Sequence, residues 1–204
     1  MRFATLILAA GASSRMGQPK LLLPWHDKTI LAHLIHQWTA LGASQIAAVI
    51  EPHSPLVAEL DRFPSVDRIV NPHPHRGMFS SVQSAACWTA WQEPTHVVIA
   101  LGDQAHVRLA TLEALIHFAA ANPDCICQLS RNGRPRHPVV IPNRIFWALG
   151  HATEQNLKEF LQVRESQRKI LESGDPALDL DIDTPEDYEK ALSIHRADSG
   201  VLSS

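Results

Sequence analysis

Apolar residues along this chain gather in short unbroken runs separated by segments with a helical repeat. Runs of strand length are Phe3–Leu8, Gln45–Ile50, Asp67–Val70, His96–Leu101, Cys125–Leu129 and Pro138–Ile141. Between the early ones, Ile30–Leu41, Leu56–Phe63, Phe79–Trp91 and Leu109–Ala121 repeat their apolar positions every three or four residues, as one buried helix face requires. Strand alternating with helix predicts an α/β domain with parallel strands joined by crossovers. The unbroken run Val97-Val-Ile-Ala-Leu101 predicts a strand covered on both faces. Past Ile141 the pattern loosens: Asn143–Leu149 and Thr153–Val163 read as helices, Arg168–Leu171 and Leu178–Ile182 as short strands. Thr184-Pro-Glu-Asp-Tyr188 opens a last helix, with a capping threonine, a proline at the first helical position and acids in the first turn.

The chain has 204 residues, 45% apolar and 19% charged, which suits one soluble domain spanning residues 1–195. The polar end, Arg196–Ser204, reads as a disordered tail. A net charge of −3 provides no global field for nucleic acid or an acidic membrane, so any polyphosphate must be held by local cations and metal. No run reaches the length of a membrane span, and the amino-terminal run reads as a strand, not a signal peptide. Three cysteines, Cys87, Cys125 and Cys127, form no disulfide framework and suggest the cytoplasm. Cys125 and Cys127 would share one side of a strand as small buried residues. His33 and His36 share a helix face without a metal-binding string and read as surface. The five tryptophans read as packing.

Most of the chemistry sits in Leu6-Ile-Leu-Ala-Ala-Gly-Ala-Ser-Ser-Arg-Met-Gly-Gln-Pro-Lys20. A strand breaks into a small-residue loop carrying Arg15 and Lys20. Backbone N–H groups can approach an anion there, and two cations can neutralise it. The spacing is neither that of a Walker A loop nor G-x-G-x-x-G. A second motif, Val97–Gln104, ends a buried strand on Asp103, at the end of a parallel strand where open α/β sheets bind ligands. Asp103 suits Mg²⁺, which takes carboxylate and phosphate oxygens together. In Asp179-Leu-Asp181-Ile-Asp183, alternation puts Asp181 and Asp183 on one face, and a cation would offset their repulsion. Helix capping is the competing reading for Asp183 and Thr184.

The first motif resembles, at nearly every fixed position, the signature of the MobA-like NTP transferase family, and the likeness extends to about Tyr188. The resemblance implies a three-layer α/β/α sandwich with a Rossmann-like, mostly parallel sheet. It implies Mg²⁺-dependent transfer of a nucleoside monophosphate from an NTP to a small phosphorylated acceptor, with release of pyrophosphate. The subgroup it most resembles is the molybdenum cofactor cytidylyltransferases, and the Ala9-Ala10 pair leans towards CTP. By that resemblance Ala9, Ala10, Gly11, Arg15 and Lys20 contact the nucleotide, with Arg15, Lys20 and Asp103 catalytic. Asp103 with Asp183, and less directly Asp181, would hold the metal. Asn71, Gly77, Ser80 and Ser81, in the segment Asn71–Val82, would lie over the base or ribose, the serines also serving to cap a helix. His73 and His75 in that segment read as parts of a proline-stiffened loop.

Arg136 and His137, in Gly133-Arg-Pro-Arg-His137-Pro138, match the acceptor segment of the subgroup, although Arg136 replaces a glycine. Arg131, Arg134 and Arg136 could meet an anionic substrate or could line a solvated hairpin. Ala105 and Gly150–Asn156 depart from the subgroup pattern. These departures keep two alternatives open: a maturation chaperone that hands a nucleotide-bearing cofactor to a client apo-enzyme, and a sugar-1-phosphate nucleotidyltransferase.

Overall fold

The computed structural model describes residues 1–11 and 14–201; of Ser14 and residues 196–201 only the backbone is described. The predicted runs become strands of one sheet: β1 (Phe3–Leu8), β4 (Gln45–Ile50), β5 (Val66–Val70), β6 (His96–Leu101), β7 (Ile126–Arg131), β8 (Arg134–Pro142) and β9 (Arg168–Glu172). A small separate hairpin pairs β2 (Pro24–Trp25) with β3 (Lys28–Thr29). The main sheet has seven strands in the order β5-β4-β1-β6-β8-β7-β9. β8 alone runs against the others, because Asn132 and Gly133 turn the β7–β8 hairpin at φ of 51° and 70°.

Helices α1 (Ile30–Ala40), α2 (Val57–Leu60), α4 (Leu109–Ala120) and α7 (Pro185–Val201) are joined by α3 (Met78–Ala86), α5 (Asn143–Ala148) and α6 (Leu157–Gln162). Alternation along the strands divides the interior into two cores. Ile7, Ala48, Ile50 and Val98 pack beneath α1, α2 and α4 with Ile30, Leu34, Leu60 and Leu115. Leu6, Ala47, Val49 and Ile99 pack beneath α3, α5 and α6 with Phe79, Val82, Phe146 and Phe160. The result is an α/β/α sandwich with a mostly parallel sheet. No described helix is long and apolar enough to cross a membrane.

Three expectations are corrected. Leu178–Ile182 is not a strand: Pro176–Asp179 is a 3₁₀ turn, capped by the Asp175 carboxylate accepting from the Ala177 N–H at 3.0 Å. Leu178 and Ile182 still enter the core, so their alternation recorded burial and not pairing. Cys125 precedes β7, and only Cys127 lies in the strand, with burial raising its thiol pKa to about 11. His33 is not a surface residue. Its ring lies 5.8 Å from Trp25 and 5.1 Å from His195, and burial first, then His195 and His26, lowers its pKa to about 4. His36 is exposed as expected. The expected tail falls partly outside the described residues; the α7 backbone is helical to Val201.

Candidate active site

Strand order reverses beside β1: β4 and β5 lie to one side, β6 to the other. Crevices form at such points outside the carboxyl ends of parallel strands. Here the segments leaving β1, β4, β5 and β6 line a cleft of about 510 Å³ that includes Ala9, Ala10, Gly11, Lys20, Glu51, Gly77, Ser81 and Asp103. An adjoining cleft of about 390 Å³ shares Ala9, Gly11, Lys20 and Glu51 and extends along Gly17–Pro19.

The turn after β6 is held tightly. Gly102 donates to Leu8 O at 3.1 Å, and a Cβ at Gly102 would stand 2.8 Å from that oxygen and 3.0 Å from Leu21. Only glycine lets the loop press against β1 and aim Asp103 at the loop that follows it. Lys20 opens a 3₁₀ turn and reaches across: its Nζ donates to Asp103 Oδ2 at 2.8 Å and to Asp183 Oδ1 at 3.1 Å. Burial opposes the charge on Lys20, whose side chain is 13% exposed, but Asp103 and then Asp183 outweigh it, and its pKa is raised. Arg15 donates to Asp183 Oδ2 at 2.7 Å from a side chain 68% exposed, so that contact is weak and free to rearrange.

The segment carrying Asp181 and Asp183 is pinned here by groups to which the motifs assign no role. Ile182 N–H donates to Asp103 O at 3.1 Å. His106, fully buried, has Nε2 3.1 Å from Ala177 O and 2.9 Å from Leu180 O. Gln104 Nε2 donates to Asp181 Oδ1 at 2.9 Å. Desolvation and then Asp103, with a smaller part from Asp183, raise the pKa of Asp181, so all these acids feel one another. The site is therefore short of positive charge: Asp103, Asp181 and Asp183 face Arg15 and Lys20. The Oδ1 of Asp103 is buried and accepts no hydrogen bond among the described residues. Also among the described residues, no group of three or more His, Cys, Asp or Glu stands ready to hold a metal.

The other expected residues divide. Gly77 takes φ of 82° to start α3, and Gly77 and Ser81 line the cleft with Met78 and His75. His73 leads into the 3₁₀ turn Pro74–Arg76. Ser80 does not cap α3. Its hydroxyl is bonded to Gly77 O at 2.7 Å and His73 O at 3.0 Å, and it accepts from Asn71 Nδ2 at 2.8 Å. Asn71 is fully buried and also donates to Ser81 at 3.0 Å, so it ties the end of β5 to α3 from beneath the cleft. Arg136 and His137 do not line the cleft. Arg136 donates to Asp179 Oδ1 at 2.5 Å, beside Arg131, which donates to Asp179 Oδ2 at 2.7 Å. His137 is half-buried, its Nδ1 3.4 Å from Ile99 O, with its pKa lowered by burial. Thr184 caps α7 as expected, accepting from the Asp187 N–H at 3.2 Å.

The chain is similar to known proteins over nearly its full length. It is 27% identical over 184 residues to the molybdenum cofactor cytidylyltransferase of Escherichia coli, covering 90% of this chain and 92% of that one. The crystal structure of Rv0371c from Mycobacterium tuberculosis superposes with a TM-score of 0.72 at 25% identity, over 95% of this chain and 98% of that one. A nucleotidyl transferase from Methanothermobacter, 20% identical over 96% of this chain and 99% of that one, shares the fold at a TM-score of 0.79. The pattern of the MobA-like NTP transferase domain matches residues 5–171, and the chain belongs to that family.

Proposed function

We propose that this chain transfers a nucleoside monophosphate from an NTP, with CTP favoured, to a phosphorylated acceptor of the molybdopterin kind, releasing pyrophosphate. The observation that carries this reading is the convergence of Arg15, Lys20, Asp103 and Asp183, from three distant parts of the chain, into one ion cluster beside the cleft that Lys20 and Asp103 line. The cytidylyltransferase relative supports the choice of base and acceptor.

The residues present suit Mg²⁺. Asp103 and Asp183 already converge on one cationic nitrogen, Lys20 Nζ, and Asp103 keeps a buried oxygen without a donor among the described residues. One or two carboxylates completed by phosphate oxygens is the usual way Mg²⁺ is bound in nucleotide sites. Asp103 and Asp183 would hold it, with Asp181 in support, and it would supply positive charge to the reacting phosphates.

The chain's own residues do the rest. The Ala9–Gly11 backbone lets the nucleotide approach the end of β1. Arg15, exposed beside Asp183, would meet the departing pyrophosphate. Lys20, fixed by its two acids, meets the α-phosphoryl group as an acceptor oxygen attacks in line. Positioning and charge neutralisation suffice for such a transfer, with no covalent enzyme intermediate. The test is pyrophosphate release with each of the four NTPs and Mg²⁺ across molybdopterin and sugar-1-phosphate acceptors. Turnover with CTP and molybdopterin is expected; tight NTP binding with no turnover on any acceptor would favour a carrier instead.

A further inference from the structure

One charged group in the cleft has no task in the transfer chemistry. Glu51 follows β4 directly, in phase with Ala47 and Val49, and so on the face covered by α3. It stands beside Asn71, because Ile50 and Val70 are register partners in the sheet. It lines both clefts; its backbone carbonyl accepts from the Ser54 N–H at 3.2 Å, while its carboxylate makes no hydrogen bond or ion pair among the described residues. Asp103, the other carboxylate lining the larger cleft, is answered by Lys20 at 2.8 Å. Glu51 is half-buried and unanswered.

A carboxylate accepts hydrogen bonds and donates none. It repels phosphate, so the part of a nucleotide that meets it must carry donors. Two parts do: the ribose hydroxyls and an amino group on the base. The apolar part of the larger cleft's lining favours the base. Pro74, Gly77 and the half-exposed thioether of Met78 form an apolar surface on which a flat ring can rest. The geometry points to Glu51 as the residue that reads the base, accepting from its exocyclic amino group and rejecting uracil, which carries a carbonyl oxygen there. This deepens the nucleotidyltransferase reading and rests on it. It also gives a physical reason for preferring CTP over UTP, which the Ala9-Ala10 pair alone does not.

The experiment is calorimetric binding, with Mg²⁺, of CTP, UTP, 2′-deoxy-CTP and a CTP bearing two methyl groups on its exocyclic nitrogen, to the wild-type chain and to Glu51→Gln. Wild type should bind UTP and the dimethylated nucleotide at least about tenfold more weakly than CTP, as expected when a charged hydrogen bond is lost and its acceptor stays buried. In Glu51→Gln, whose amide can both donate and accept, the CTP preference over UTP should shrink to within about threefold, with the 2′-deoxy-CTP ratio unchanged. The dimethylated nucleotide tests the inference on the wild-type chain alone. An undiminished CTP preference in the variant, or a change falling on the 2′-deoxy-CTP ratio, would overturn the assignment. If wild type binds no nucleotide at all, the nucleotidyltransferase reading fails first and takes this one with it.

Discussion

Two ion clusters stand at opposite ends of one short segment, Asp179–Asp183, and their stoichiometries are reversed. At the first end, a single carboxylate, Asp179, is shared by two guanidinium groups, Arg131 and Arg136. At the second, a single ammonium, Lys20, is shared by Asp103 and Asp183, with Asp181 close by and Arg15 on the rim. Arginine pairs hold anions well, because each planar fork can direct two donors at one oxyanion. The acids outnumber the cations at the second end only when Asp181 is counted, and like charges held close favour a further cation. One segment thus carries an arginine cluster at one end and an acid cluster at the other; under the proposed function the first would meet the phosphorylated acceptor and the second the metal-bound triphosphate. Arginines in the β7–β8 hairpin therefore need not be a solvated loop: Asp179 holds two of them ready, and both guanidiniums lower its pKa.

Asp103 is where substitution should cost most. Asp103→Asn keeps the shape but halves the acid pair, and turnover should fall by about a thousandfold, measured as pyrophosphate release at saturating Mg²⁺. Lys20→Met comes next, at roughly a hundredfold, or about 3 kcal/mol in the transition state. Because Lys20 pairs with Asp103 and Asp183 but cannot itself ligate a cation, its loss should leave Mg²⁺ affinity less impaired than the Asp103 substitution does. Equal losses of Mg²⁺ affinity in the two variants would contradict the division of roles.

At the other cluster, Arg136→Ala should raise KM for the acceptor about tenfold, the cost of one charged hydrogen bond, and leave NTP binding unchanged. A shift in NTP affinity instead would merge the two clusters into one.

The smallest effect tests the scaffold. His33 has a folded-state pKa of about 4, below its unfolded value, so between pH 6.5 and 4 the unfolded chain binds the extra proton. Stability is complete above that window and falls with pH through it. His96, His106 and His137, all lowered mainly by burial, act in the same direction. His33→Gln should flatten part of the decline in Tm measured between pH 6.5 and 4; an unchanged slope would remove His33 from the account.

Much of this was legible in the sequence where one physical cause acts alone. Phe3–Leu8, Gln45–Ile50 and His96–Leu101 end where predicted, since a run of large apolar residues that stops at small or charged ones has few ways to be buried. Helix ends were less legible: α3 stops at Ala86, not Trp91, and α6 begins only after Asn156 accepts from the Glu159 N–H at 2.9 Å. Leu178–Ile182 misled because alternation is common to strands and to any extended segment lying on a core. The burial of His33 depends on Trp25 and His195, which no local pattern links to it. At the cleft, the motifs named Arg15, Lys20, Asp103 and Asp183 but not how they pair. Glu51 carried no signal at all, being one acid after one strand. Its meaning comes from what surrounds it and from the absence of a described partner.

Under the proposed function the crevice beside β1 binds a nucleoside triphosphate and a divalent cation as one unit, through Asp103. Thermal unfolding with CTP, with Mg²⁺, and with both tests it most directly, since a ligand at about a hundred times its Kd stabilises by about 2.7 kcal/mol. Wild type should gain far more from the two together than from either alone, and Asp103→Asn should lose that synergy. Equal stabilisation by CTP with and without Mg²⁺, or synergy that survives in Asp103→Asn, would contradict it.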